Sequence, residues 1–221
     1  GRFTRIVQHD DRVTLTAAAR FDLRRIRHTD GWIFGTMLLS AVLSLIASFV
    51  LSVDAIELAA NPDAQLACNI SATLSCGTVG AAWQASVFGF PNAFLGLIAE
   101  PVVITIAVAG LAGVRFPRWF MFAAQAVYTL GLVFAYWLFA QSMFVIGALC
   151  PWCLLVTLST TLVFATLLHY NLRENNLFLP PVAHARALTF LRAGWDAAVV
   201  LLWLGAMVVA IIVKYGTALL P

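Results

Sequence analysis

The chain has 221 residues, of which 62% are hydrophobic and 10% charged, with a mean hydropathy of +0.93. Soluble domains carry about 45–50% apolar and about 25% charged residues, so this composition excludes both an ordinary globular core and a disordered chain. The net charge is only +3, and no basic stripe lies outside the segments flanking apolar runs, which argues against a nucleic-acid partner. These features describe an integral membrane protein.

A helix needs about 20 apolar residues to cross about 30 Å of hydrocarbon. Residues 1–30 are polar and arginine-rich, and the first span follows at about residues 31–52. It reads as an uncleaved anchor, because its apolar run is too long for a signal peptide and lies behind a polar stretch. Residues 53–88 form a loop with no Lys or Arg and three acids, Asp54, Glu57 and Asp63. The second span is predicted at about 91–113 and the third at about 117–139, joined by a tight turn at Val114-Arg115-Phe116 that demands antiparallel neighbours. The fourth span is predicted at about 144–170. A linker over 171–192 contains Pro180-Pro181, which is expected to stop the fourth helix. The fifth span covers about 194–215, within a last segment of 193–221.

Twelve of the thirteen basic residues fall on one side of these spans, leaving Lys214 on the other. The positive-inside rule therefore puts the N-terminus in the cytoplasm and the 53–88 loop outside, in a multi-pass protein of the cell (cytoplasmic) membrane. Trp32, Trp119 and Trp195 then lie at the inner interface, with Trp137 and Tyr215 near the outer one.

The four cysteines cluster by topology. Cys68 and Cys76 lie in the outer loop, and Cys150 and Cys153 open the fourth span, so all four lie at or near the oxidising face. His9, His28, His169 and His184 all fall on the opposite side. A mixed Cys/His zinc site would need ligands from both sides of the bilayer, and no His follows the Cys-x-x-Cys as in c-type haem attachment. No metal site is expected.

In Cys150-Pro151-Trp152-Cys153 the proline suits a first helical position. An i, i+3 pair in a first turn faces one side at a separation suited to a disulfide. The exposed amides and the positive helix end favour thiolate, so the thiol nearest the helix start should have a lowered pKa. The structural alternative is a disulfide closing a tiny loop, which constrains the unfolded chain little. For Cys68 and Cys76 a structural loop disulfide and a reactive pair both remain open. Together, a helix-end dithiol and a second pair on a loop have the geometry of a thiol relay.

These residues resemble the vitamin K epoxide reductase (VKOR) family over about residues 31–170. The likeness rests on three blocks in order: Cys68 with Ser75-Cys76-Gly77-Thr78-Val79, then Phe88-Gly89-Phe90-Pro91-Asn92-Ala93-Phe94-Leu95-Gly96, then Cys150-Pro151-Trp152-Cys153. The chain is most similar to a stand-alone bacterial homologue, actinobacterial in its Ala-rich composition, without the fused thioredoxin-like domain of many bacterial members. The resemblance implies an all-α membrane fold, a four-helix transmembrane bundle with a fifth helix to the side. It implies a quinone (menaquinone, ubiquinone or vitamin K-like) bound near the outer face, and an extracytoplasmic DsbA-like, thioredoxin-fold partner. Electrons would pass from that partner through the loop pair to the Cys-x-x-Cys and on to quinone. Mapped by motif, Cys68 meets the partner, Cys76 exchanges with Cys150, and Cys153 reacts with the quinone.

Asn92 matches a family asparagine that hydrogen-bonds a quinone carbonyl, though a first-turn asparagine also satisfies backbone groups. Ala82 stands where the family often has Ser, and Thr157 where the animal enzymes carry Tyr. Both departures leave dithiol chemistry intact and favour quinone over vitamin K epoxide as substrate. Phe134 and Leu138, i and i+4 on the third helix, are candidates for an apolar quinone pocket or for plain bundle packing. Glu100 lies about nine residues into the second span, where a carboxyl should face the bundle interior. A protonated side chain bonded within a helix bent at Pro101 is the expected arrangement. Trp83 is expected to be an interface anchor. Two other readings fit the cysteine content. One is a DsbB-type enzyme, which carries its pairs in the reverse order. The other is a non-enzymatic membrane protein with structural disulfides.

Overall fold

Thr29 opens the first long helix: its hydroxyl accepts from the Trp32 amide at 3.3 Å, and Asp30 complements the positive helix end. The computed structural model describes residues 26–219, so Arg2, Arg5, Arg12, Arg20, Arg24, Arg25 and His9 lie outside the described residues. In chain order the helices are α1 (Asp30–Ala60), a short α2 (Cys76–Gly80), a 3₁₀ turn (Trp83–Ser86), α3 (Ala93–Leu111) and α4 (Arg118–Gln141). A π turn (Ser142–Ile146), α5 (Pro151–Arg173), α6 (Pro181–Ala193) and α7 (Trp195–Leu219) follow. Five of these helices are long and apolar enough to cross a membrane, as the composition requires.

Helix α1 is the centre of the bundle, packing against α3 on one side and α5 on the other, while α4 packs on α5. Small residues make the first contact close. Ser40, Ala41, Ser44, Ala47 and Ser48 form a buried stripe on α1, and a Cβ on Gly96 of α3 would overlap Ser48. Small side chains let helices approach where lipid gives no hydrophobic drive for association. Helices α3 and α4, joined by the tight turn after Leu111, share few close backbone approaches. They run antiparallel as their link demands but splay apart, and a cavity opens between them. Helix α7 lies to the side, and of its residues only Tyr215 is buried among those described, so the four-plus-one membrane bundle is the fold observed.

Three boundaries differ from those expected. Helix α1 continues past residue 52 to Ala60, which turns Asp54 and Glu57 from loop residues into helix residues. Residues 144–146 belong to the π turn that ends the third span rather than to the fourth. There Gly147 adopts φ 77°, a left-handed conformation that favours glycine, and redirects the chain toward Cys150. The proline pair does not stop α5, which has already ended at Arg173. Pro181 instead takes the first position of α6, where its missing amide costs nothing.

Candidate functional site

The site begins with how α5 starts. Cys150 is the N-cap: its sulfur accepts from the Cys153 amide at 3.3 Å, and Pro151 follows at the first helical position. The segment before it pairs with the loop through a parallel bridge between Leu74 and Leu149. The Ser75 amide donates to the Leu149 carbonyl at 3.0 Å, and the Leu149 amide donates to the Thr73 carbonyl at 2.8 Å. Ser75 then caps α2 by accepting from the Thr78 amide at 3.1 Å. Asn69 braces the same corner, its side-chain oxygen accepting from the Ser75 hydroxyl (3.0 Å) and the Gly77 amide (2.9 Å).

This bracing brings both cysteine pairs together. Cys68 and Cys76 form a disulfide, while Cys150 and Cys153 are free thiols. The Cys150 thiol lies 3.4 Å from the Cys76 sulfur, with Cys68, Cys76 and Cys150 all buried. A hydrogen bond from the Cys153 side chain holds the Cys150 thiol below its ordinary pKa against the opposing effect of burial, aided by the backbone amides of Cys153 and Trp152. That is the shift expected at a helix start. Thiol–disulfide exchange needs a thiolate-prone sulfur against one sulfur of a disulfide, and this contact supplies it.

Beneath the sulfurs lies a cavity of about 520 Å³ between α3 and α4, walled mainly by apolar side chains. Its lining includes Cys153, Asn92, Phe134, Leu138 and Thr157, so these sequence candidates converge on one space. Phe134 packs on Phe88 (centroids 5.4 Å apart) and Trp137 (5.8 Å), so aromatic rings back one side of the cavity. Trp83 is exposed and meets Trp137 edge-on, as an interface anchor would. Asn92 holds the 3₁₀ turn in place: its amide donates to the Gln84 carbonyl at 2.6 Å and its oxygen accepts from the Val87 amide at 3.2 Å. The amide carries a second hydrogen that this contact does not use. The Thr157 hydroxyl donates to the Cys153 carbonyl at 2.9 Å. Ala82 does not line the cavity; it precedes the 3₁₀ turn, half-buried.

One group was not legible as a site residue, and a second, Glu100, faces the interior as expected but is bonded differently. Asp54 on the extended end of α1 places its carboxylate 3.6 Å from the Cys68 sulfur, and it too lines the cavity. Glu100 is buried in the cavity wall and is bonded between helices rather than within its own. Ser44 of α1 donates to one of its oxygens at 2.7 Å and Tyr128 of α4 to the other at 2.8 Å. Among the described residues, one group of three potential metal ligands comes together: Asp54, Cys68 and Cys76. His28, His169 and His184 stand with the far ends of α1 and α5 and with α6, away from the cysteines.

A membrane helical bundle that sets a free dithiol against a disulfide defines the class, a membrane thiol oxidoreductase. The family model of the vitamin K epoxide reductase family matches residues 36–168, more than half of the chain, and the chain belongs to that family. The match covers the loop pair, Asn92 and the Cys-x-x-Cys. No curated protein matches the chain.

Proposed function

We propose that the protein oxidises the dithiol of an extracytoplasmic, DsbA-like thioredoxin-fold protein and passes the electrons through its two cysteine pairs to a membrane quinone. The observation that carries this reading is the Cys150 thiol 3.4 Å from Cys76 of the Cys68–Cys76 disulfide, above a cavity also lined by Cys153. The distribution of basic residues supports a cytoplasmic N-terminus, with the cysteine end on the outer, oxidising face.

The cavity fits a quinone. Its volume of about 520 Å³ lies within the about 300–1,000 Å³ common for small-molecule sites. Its wall is apolar, with a few polar groups near the cysteines, and the free Asn92 amide hydrogen is a donor for a carbonyl. A bound quinone supplies an acceptor for two electrons and two protons. The chain's own residues do the rest by exchange. A partner thiolate attacks Cys68, releasing the Cys76 thiolate; the second partner thiol then displaces Cys68, so the partner leaves oxidised and the loop pair reduced. Cys76 attacks Cys150 of a Cys150–Cys153 disulfide, releasing the Cys153 thiolate toward the cavity. Cys68 next displaces Cys150 from Cys76. The result is a loop disulfide with a free Cys150/Cys153 dithiol, the pairing present in this structure. Oxidation of that dithiol completes the cycle.

Anaerobic mixing of dithiol-reduced protein with a soluble quinone analogue tests the reading. Stoichiometric quinol is expected from the unaltered protein and only background from Cys153→Ser. Absence of quinol from protein with four demonstrably free thiols would refute quinone use.

A further inference from the structure

The acid beside the cysteine pairs is out of place in a relay that depends on thiolates. A carboxylate a few ångströms from a thiol disfavours its ionisation, and no Lys or Arg occurs between Arg27 and Arg115 to offset the charge. Among the described residues Asp54 has no cationic side-chain partner. Yet its carboxylate and the Cys68 and Cys76 sulfurs all lie within 4.8 Å of one another. The fourth neighbour is Cys150, 3.4 Å from Cys76.

We propose that, once the loop pair is reduced, Asp54, Cys68, Cys76 and Cys150 form a site for a thiophilic divalent cation of the Zn²⁺ type. In a tetrahedral site with Zn–S about 2.3 Å and Zn–O about 2.1 Å, neighbouring ligand atoms stand about 3.6–3.8 Å apart. Two edges already approach this: Asp54 to Cys68 at 3.6 Å and Cys76 to Cys150 at 3.4 Å. The Cys68–Cys76 edge is a covalent bond and too short, and Cys150 stands more than 4.8 Å from at least one of the other ligands. Reduction must open the bond and let Cys76 and Cys150 close on the ion together. The cysteine residues are 7%, 3% and 2% exposed for Cys68, Cys76 and Cys150, the enclosure of a closed site rather than an open surface cluster. The donor set is three soft thiolates and one carboxylate, which selects zinc-like ions over Mg²⁺ or Ca²⁺.

The site is gated by redox state. In the disulfide form neither loop sulfur is a thiolate ligand. In the reduced form the ion displaces the thiol protons to solvent and no electrons move. Metal binding therefore withholds the reduced pair from exchange, and reoxidation must expel the ion. The proposal rests on the relay only in taking the reduced loop pair as a working state.

The test uses the full chain in detergent, stripped of metal, reduced with a phosphine that is then removed under anaerobic conditions. Zn²⁺ is titrated in competition with a chromophoric chelator, and Co²⁺ serves as a spectroscopic substitute. One ion per reduced chain is expected, with intense thiolate-to-cobalt charge-transfer absorption, and none at this site in the oxidised chain. Cys68→Ser and Asp54→Asn should each weaken binding by more than the roughly 10–100-fold that loss of an outer-shell partner costs. Asp54→His, which keeps a ligand, should retain it. Equal binding by reduced and oxidised chains overturns the proposal, as does wild-type affinity in both Cys68→Ser and Asp54→Asn. Where a variant misfolds, the contrast between reduced and oxidised wild type with the cobalt spectrum decides alone. Quinol formation is scored separately: zinc binding without quinol overturns the relay and leaves the metal site standing, while quinol without zinc binding does the reverse.

Discussion

At the cysteine end, backbone pairing and a few short polar contacts position the reacting groups over an apolar cavity, whereas at the opposite end charged side chains tie three helices together. Arg27 and His169 both reach Asp196 of α7, at 3.2 and 2.7 Å. His28 meets His169 at 3.1 Å, and Arg173 holds both the His28 carbonyl and Asp30. The fully buried Asn171 adds bonds to the Met121 carbonyl and the Gln125 side chain. The contrast follows the chemistry. Exchange requires sulfurs to change partners, which suits an end held by backbone pairing and neutral hydrogen bonds rather than by ion pairs. The lowered Cys150 pKa rests on the Cys153 contact and on the backbone amides of its helix start, while Asp54, a charge that remains at the cysteine end, opposes ionisation. Helix α7 is held at both ends, by Asp196 at the charged end and by Lys214 and Tyr215 on the Met143 carbonyl at the other, with the apolar stretch between them free for lipid.

The sharpest way to break this comparison is to remove the outermost sulfur. Cys68→Ser should reduce turnover with a thioredoxin-fold partner to background while sparing part of the reaction with a small dithiol, which needs no docking surface at Cys68. Steady-state assays with both reductants measure the split, and equal loss of both would show that Cys68 has no separate role. A smaller effect comes from the bracing. Asn69→Ala removes two hydrogen bonds from the corner that carries Cys76, each worth about 1 kcal/mol. Transfer between pairs should slow by about tenfold, on the scale where about 1.4 kcal/mol is a factor of ten. Rapid quench with thiol labelling and mass measurement follows it, and an unchanged rate would mean that the Leu74–Leu149 bridge alone sets the register. Smaller again is Glu100→Gln, which spoils one of two donor contacts between α1, α3 and α4. It should lower thermal stability by about 1 kcal/mol, and this loss should exceed any change in quinol formation. The reverse ranking would make Glu100 a proton donor rather than a tie between helices.

Much of this arrangement could be read from the sequence, for physical reasons. Long apolar runs and the placing of Arg and Lys are strong signals for spans, and a Pro after Cys150 marks a helix start in any context. Phe134 and Leu138 were visible as one face of α4, and that face does line the cavity. What escaped was set by contacts distant in the chain. Asp54 looked like a loop acid because hydropathy ends a span where polarity begins, while the helix itself continues to Ala60. The bonds of Glu100 to Ser44 and Tyr128 join three helices, and no local pattern announces them. Likewise, a tight turn makes α3 and α4 antiparallel, but only their separate packing against α1 and α5 opens the space between them.

The two ends should also answer acid differently, and this is the smallest effect expected. At the charged end the His28 ring is held below its ordinary pKa, first by burial and then by repulsion from His169 and Arg27, with Asp196 opposing and Arg173 adding to the repulsion. A histidine whose folded pKa is depressed favours the folded state in its neutral form. Its contribution is present above the ordinary value of about 6.5 and is lost as pH falls through the lowered folded value. Mild acid should therefore lower the melting temperature of the detergent-solubilised protein, and His28→Gln should lessen that drop. At the cysteine end the same acid acts on rate instead: exchange slows as pH falls because the attacking Cys76 and Cys68 must be thiolates, while the lowered Cys150 pKa makes Cys150 the better leaving thiolate. His28→Gln should leave that kinetic response in place. An equal loss of melting temperature in wild type and His28→Gln would locate acid sensitivity away from the His28–His169–Asp196 cluster. A shift of the kinetic profile in the same variant would show that the two ends are coupled through α1 and α5.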